Sequence, residues 1–75
     1  MNINKFMFEL NNALIENLFR GVEVHRVNID TDDVIAIRII AERDVDKYDR
    51  CYIINKNWLD DKTINNIISS LIWWE

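Results

Sequence analysis

Apolar residues recur with the helical period at both ends of this chain and with the strand period in between. Ile3, Phe6, Met7, Leu10, Leu14 and Leu18 fall at helical spacing, with Ala13 beside them, which predicts an amphipathic first helix from about Ile3 to Phe19. Gly21 is placed to end that helix in the left-handed conformation. From Val22 to Ile29 the period drops to two. Val22 and Val24 share one face and Val27 and Ile29 the other, so the alternation slips near His25–Arg26, where a bulge is expected. Asp30-Thr31-Asp32-Asp33 is a turn, since Asp and Thr bond their own backbone.

Val34–Ala41 is the stretch around which the rest is organised. Val34, Ile35, Ile37, Ile39 and Ile40 are β-branched, and a strand apolar on both faces belongs in the middle of a sheet. A second, longer turn is expected over Glu42–Lys47. Tyr48–Asn55 is the third strand, with Cys51 and Ile53 on one face and Tyr48, Arg50, Tyr52 and Ile54 on the other. Short connections predict antiparallel hairpins, hence a meander. A second amphipathic helix starts after Asn57, with Asn57 or Asp60 as N-cap and Ile64, Ile67, Ile68, Leu71 and Trp74 as its apolar stripe. The expected fold is α+β, ordered α-β-β-β-α, with a three-stranded antiparallel meander and two amphipathic helices in a single domain, residues 1–75.

Composition narrows the chemistry. The chain is 49% hydrophobic and 29% charged, too apolar for a disordered segment. With one glycine and no proline it has no phosphate-cradling loop. Nine basic residues are scattered among thirteen acidic ones, for a net charge of −4, which argues against binding DNA or RNA directly. No apolar run approaches the length of a membrane span, and no basic n-region precedes an apolar segment. Cys51 is the only cysteine; its strand phase, shared with Ile53, predicts a buried structural thiol, and a reducing cytoplasm fits. The frequent Ile and Asn, both with AT-rich codons, point to a low-GC bacterium or its phages, and so to the bacterial host cytoplasm.

Catalysis and metal binding find little support. His25 is the lone histidine, with no partner placed beside it by sequence. The aspartates of the first turn lack the glycine and the distal glutamate of a calcium loop. Paired carboxylates fall in turns, open to water. No enzyme, metal or cofactor is expected.

Two surfaces are candidates for a partner. The first is an acidic end: in a meander the Asp30, Asp32 and Asp33 turn lies at the same end as the exit of the third strand, which brings Asp60 and Asp61. Such a cluster can imitate a row of phosphates. The second is apolar. Phe8, Ile15 and Phe19 form a line off the core stripe of the first helix. If both helices cover the Ile35/Ile37/Ile39 side, the other side of the sheet exposes Val34, Arg38, Ile40, Arg50, Tyr48, Tyr52 and Ile54. Trp73 cannot share a helix face with Trp74 and is left for a partner.

The order helix, three-stranded meander, helix resembles the double-stranded RNA-binding domain and the HicA-type toxins that share its fold. Where such RNA-binding domains carry a Lys-Lys-x-x-Lys run, this chain has Leu59-Asp60-Asp61-Lys62, and His25 lacks the Gly-Ser-His context of the toxins. The opening Met1-Asn2-Ile3-Asn4, together with this architecture and the acidic balance, resembles the small phage-encoded anti-CRISPR-type inhibitors of the RNA-guided CRISPR nuclease. That resemblance implies a non-enzymatic inhibitor that occupies a basic nucleic-acid-binding surface on a host protein. The usual acid-rich C-terminal portion of those inhibitors is missing here. The alternative is a homodimeric structural or regulatory module whose acids are incidental.

Overall fold

The computed structural model describes residues 1–28 and 32–73. The elements run α1 (Ile3–Glu16), β1 (Arg20–Val27), β2 (Val34–Arg43), β3 (Asp46–Asn55), a 3-10 turn (Lys56–Trp58) and α2 (Asp61–Ile72). The sheet order is β1-β2-β3, antiparallel throughout. This is the expected α+β meander with β2 central. Both helices pack on one face of the sheet. Phe6, Leu10 and Leu14 of α1 and Ile64, Ile67, Ile68 and Leu71 of α2 meet Ile35, Ile37, Ile39 and Ala41 of β2 in one core. Burying isoleucines from the central strand under two helices supplies the main favourable term in a domain this small.

α1 is capped by Asn2, whose side chain accepts from the Lys5 N–H. It stops at Glu16, short of the expected Phe19. The stop is made by Leu18, not Gly21: Leu18 takes a φ of 70°. The N–H of Leu18 donates to the Ile15 carbonyl and that of Phe19 to the Leu14 carbonyl, the pair of bonds that defines a Schellman turn. That motif brings the residue after the left-handed position against the last turn of the helix. Phe19 is accordingly buried beside Leu14. The expectation that Phe19 faces a partner is corrected by this turn.

Gly21, with φ 60°, serves β1 instead. The β1–β2 register shifts between Arg20 and Glu23, so the bulge lies at Gly21 and not at His25–Arg26. A bulge whose first residue is left-handed needs one that tolerates positive φ, and glycine does so without strain.

The second turn is shorter than expected. β2 and β3 pair without interruption from Val34↔Asn55 to Arg43↔Asp46, leaving only Asp44 and Val45 as the loop. Asp44 takes the positive φ, 56°, that tight hairpins demand. This loop sets the phase of β3. Ile37 stands opposite Tyr52, Ile35 opposite Ile54 and Ala41 opposite Tyr48. Directly opposed residues share a face, so Tyr48, Tyr52 and Ile54 lie under the helices and not on the open side. The open side carries Asp49, Cys51 and Ile53, and Cys51 is an exposed thiol, which corrects its assignment to the core. α2 begins at the Asp60 cap, one of the two expected positions. Trp74 and Ile29 lie outside the described residues.

Ile37 has no exposure at all. Ile37→Asp would bury an unpaired charge among isoleucines, a cost that exceeds the few kcal/mol, about 3–5, that a core of this size supplies. We expect loss of the cooperative thermal transition in far-UV circular dichroism. In the parent chain, the amides of β2 should be among the slowest to exchange; fast exchange there would refute β2 as the organising strand.

Candidate protein-interaction site

The two candidate surfaces fare differently. At the acidic end, the Lys56 N–H donates to the Asp33 carbonyl at 2.9 Å. The first turn and the exit of β3 therefore meet, as expected. Asp32, Asp33 and Asp61 are exposed; Asp30 lies outside the described residues. Asp60 is also exposed but engaged. Its carboxylate accepts from the Thr63 N–H at 2.9 Å, and that bond is the leading cause of a pKa below the ordinary 3.8. Lys62 and the α-ammonium of Met1 add to the effect, and that ammonium donates to the neighbouring Leu59 carbonyl at 3.0 Å. Asp60 is first a helix cap, and positive groups surround it.

Among the apolar candidates, Phe8 (63% exposed) and Ile15 (54%) stand in water on the outside of α1. They are two turns apart and opposite a stripe, Phe6/Leu10/Leu14, that is fully buried. Exposed Leu18 follows on the Schellman turn. Trp73, just past α2, is exposed as expected. Phe19 and Tyr48 pack edge to face at 5.6 Å, with the Arg50 guanidinium over the Tyr48 ring at 5.8 Å. The Tyr52 hydroxyl is 2.8 Å from Ser70 Oγ and fastens β3 to α2. Ile54 is buried. These three β3 residues build the domain.

Sequence reasoning missed two side chains on the β3 side. Ile53 (73% exposed) and Trp58 (63%) flank a groove of about 220 Å³ between β3 and α2, lined by Tyr52, Ile54, Thr63, Asn66 and Ser70. Ile53 needed the strand phase. Trp58 was legible as a large apolar residue stranded between a strand and a helix cap.

On the open sheet face Arg38 grips Asp49 with two bonds, 2.8 and 2.6 Å. Their hydrogen bonding lowers the Asp49 pKa and raises that of Arg38. His25 lies 3.0 Å from Glu23. Among the described residues no three His, Cys, Asp or Glu side chains gather as a metal site, and no helix is long and apolar enough to cross a membrane. No family model, curated protein or solved structure matches this chain.

A carboxyl whose pKa is lowered by folding stabilises the fold above its unfolded pKa, and that contribution is lost as pH falls through the folded value. Asp60→Ala should therefore lower the melting temperature near pH 7, and the gap to the parent should narrow below the ordinary carboxylate range. Thermal melts at about pH 7 and pH 2.5 check this; a gap of the same size at both would mean that the charge of Asp60 contributes nothing.

Proposed function

We propose that this chain is a non-enzymatic protein-binding module whose primary contact is the outward line of α1, Phe8 and Ile15, continued by Leu18. The observation that carries the reading is a helix with two apolar faces, only one of which the domain covers. Apolar anchors two turns apart are the pattern by which an amphipathic helix seats in a groove of another protein. The α1 backbone is held by its Asn2 cap, its Schellman turn and a buried stripe. The anchors are thus presented without an ordering cost at the moment of binding.

A second reading is favoured by the Lys56–Asp33 bond, which brings the first turn to the end where α2 starts. In it Asp32, Asp33 and Asp61 imitate phosphate and occupy a basic nucleic-acid-binding surface on a host protein. The chain would then be a phage or mobile-element inhibitor of a defence or nucleic-acid-binding protein in the bacterial cytoplasm, the role that a resemblance to the anti-CRISPR-type inhibitors would imply. Asp60 is not counted, since its charge is spent on capping.

The two readings separate in one experiment. Parent chain, Phe8→Ser/Ile15→Ser and Asp32→Asn/Asp33→Asn/Asp61→Asn are each immobilised and exposed to lysate of a low-GC bacterium at low and high salt. Exposed sites cost the fold little, so all three should melt within a few degrees of one another. On the α1 reading, the partner is lost from the double variant and retained by the triple variant at either salt. Loss from the triple variant, with binding weakened by salt, would favour phosphate imitation. Capture of the same protein by all three would sink both.

A further inference from the structure

The outward face of α1 holds more than its two anchors. Asn11 and Asn12 stand between Phe8 and Ile15, one on each side of the line that joins them, half-buried in the middle of the helix. Asparagine is a poor residue there, because its side chain competes for the backbone. Neither amide has a hydrogen-bond partner among the described residues, so nothing within the domain offsets that cost. One flank of the same face is charged. Lys5 and Glu16 are both exposed. They lie about three turns apart and on the same side of the helix to within roughly 20°. Neither has an ion pair among the described residues. Glu9 lies farther round the helix and is half-buried.

We propose that this face takes a second copy of this chain, α1 against α1 and antiparallel, about a two-fold axis between Asn11 and Asn12, and that the pair is the resting form of the α1 line. Self-complementarity selects the occupant. With the axis there, Phe8 of each copy comes level with Ile15 of the other, so all four anchors are covered. Lys5 falls on the same side of the seam as the second copy's Glu16, offset by only about 3 Å along the helix at 1.5 Å per residue. Symmetry makes that opposite-charge pair twice. Beside the axis, each copy's Asn11 meets the other's Asn11 on one flank, and Asn12 meets Asn12 on the other. A charged side chain next to a two-fold faces its own kind, whereas an amide carries both donor and acceptor and can bond its own counterpart.

The same groups fix direction and register. A parallel pair carries the two charged flanks to opposite sides of the seam, where neither Lys5 nor Glu16 meets an opposite charge. An antiparallel axis moved to Phe8 leaves Ile15 past the end of the second copy's α1, which begins at Ile3. An axis moved to Ile15 uncovers Phe8 and sets Glu16 beside Glu16. One helix pair of 14 residues a side covers less than the roughly 1,200–2,000 Å² of a standard interface, and two domains of net charge −4 repel. The pair is therefore weak and exchanging. It keeps Phe8 and Ile15 from water in the absence of another partner and yields to a groove that holds them better. This inference rests on the reading of the α1 line as a contact surface and adds that a partner competes with the second copy. Immobilised chains, held apart, present the line as monomers.

Sedimentation equilibrium of the parent chain over a concentration series should show monomer and dimer in exchange, and Phe8→Ser/Ile15→Ser should show monomer only. Lys5→Glu and Glu16→Lys each turn both opposite-charge pairs into like-charge pairs, and each alone should weaken dimerisation about tenfold or more. An equimolar mixture of the two should restore it, as should Lys5→Glu/Glu16→Lys in one chain; restoration also shows that the variants fold. With Cys51→Ser removing the native thiol, Asn11→Cys should cross-link under mild oxidation, and Lys5→Cys, far from its counterpart, should not. A parent chain that stays monomeric throughout the series, a dimer that survives the loss of Phe8 and Ile15, charge variants that mixing does not restore, or cross-linking at position 5 in place of position 11 would each overturn the proposal. The α1 reading survives any of these if the immobilised parent still captures its protein through Phe8 and Ile15. A dimer that passes every test, beside an immobilised parent that captures nothing, would instead remove the lysate partner and keep the pair.

Discussion

Ile37 and Ile39 are kept wholly from water, and the rest of the molecule is arranged around that requirement. They sit on one face of a central strand with neighbours on both sides. Neither neighbour can shield that face; only a second layer can. Two short helices supply it, α1 reaching over β1 and meeting α2, and α2 tied to β3 through the Tyr52–Ser70 contact. Because both helices are spent on one face, the other is left to small, paired or half-buried side chains, apart from Ile53, which stands in water. Ala36 and the Arg38–Asp49 pair are what such a face requires: little apolar area, and charges that neutralise each other. An ion pair this exposed adds little to stability, but it removes an isolated charge from each side of the sheet's midline.

The central strand was legible because its residues leave no alternative. Five β-branched side chains in eight positions, apolar on both faces, fit only a middle strand. The helices were legible for the same reason: their stripes are long and their period is clear. The phase of β3 was not legible from β3 itself. Tyr48, Tyr52 and Ile54 on one side and Cys51 and Ile53 on the other are nearly matched in apolar character, so burial could choose either. The loop decides. With Asp44 and Val45 alone between the strands, Arg43 must oppose Asp46, and every pair down to Val34↔Asn55 follows. A turn spanning Glu42–Lys47 keeps the same parity, because it sets Ala41 opposite Tyr48, the pair observed; the phase of β3 was therefore legible once the pairing was carried across the turn from β2, and a slip of one residue would have turned the whole strand over.

Phe19 and Gly21 illustrate a second limit. Helical periodicity carries Phe19 onto the outer line with Phe8 and Ile15, and a glycine two residues on looks like the terminator. The chain instead places a leucine in the left-handed region, at a steric cost that glycine would avoid. Two backbone bonds and the burial of Phe19 offset that cost. Because Leu18 ends the helix, Gly21 is released to form the bulge that blunts the β1 edge. The acidic candidate suffered from a related ambiguity. Asp60 reads equally as a cap and as part of a negative patch, and only the Thr63 N–H distance assigns it to the first.

A domain of 75 residues buries a smaller share of its surface than a larger one, and its stability is correspondingly slight. Against that constraint, leaving Phe8, Ile15, Ile53, Trp58 and Trp73 in water is costly twice over. Their burial would have stabilised the fold, and their exposure invites aggregation. Here they stand on the outside of α1, along the β3–α2 groove and past the end of α2, while β1 is bulged and charged. Leu18, Val27 and Val45 are exposed as well, so association at defined surfaces accounts for part of this exposure. Binding that requires the folded state adds to stability in proportion to the logarithm of partner concentration. On the proposed reading, the apolar area this small fold cannot cover by itself is the means by which a partner would stabilise it.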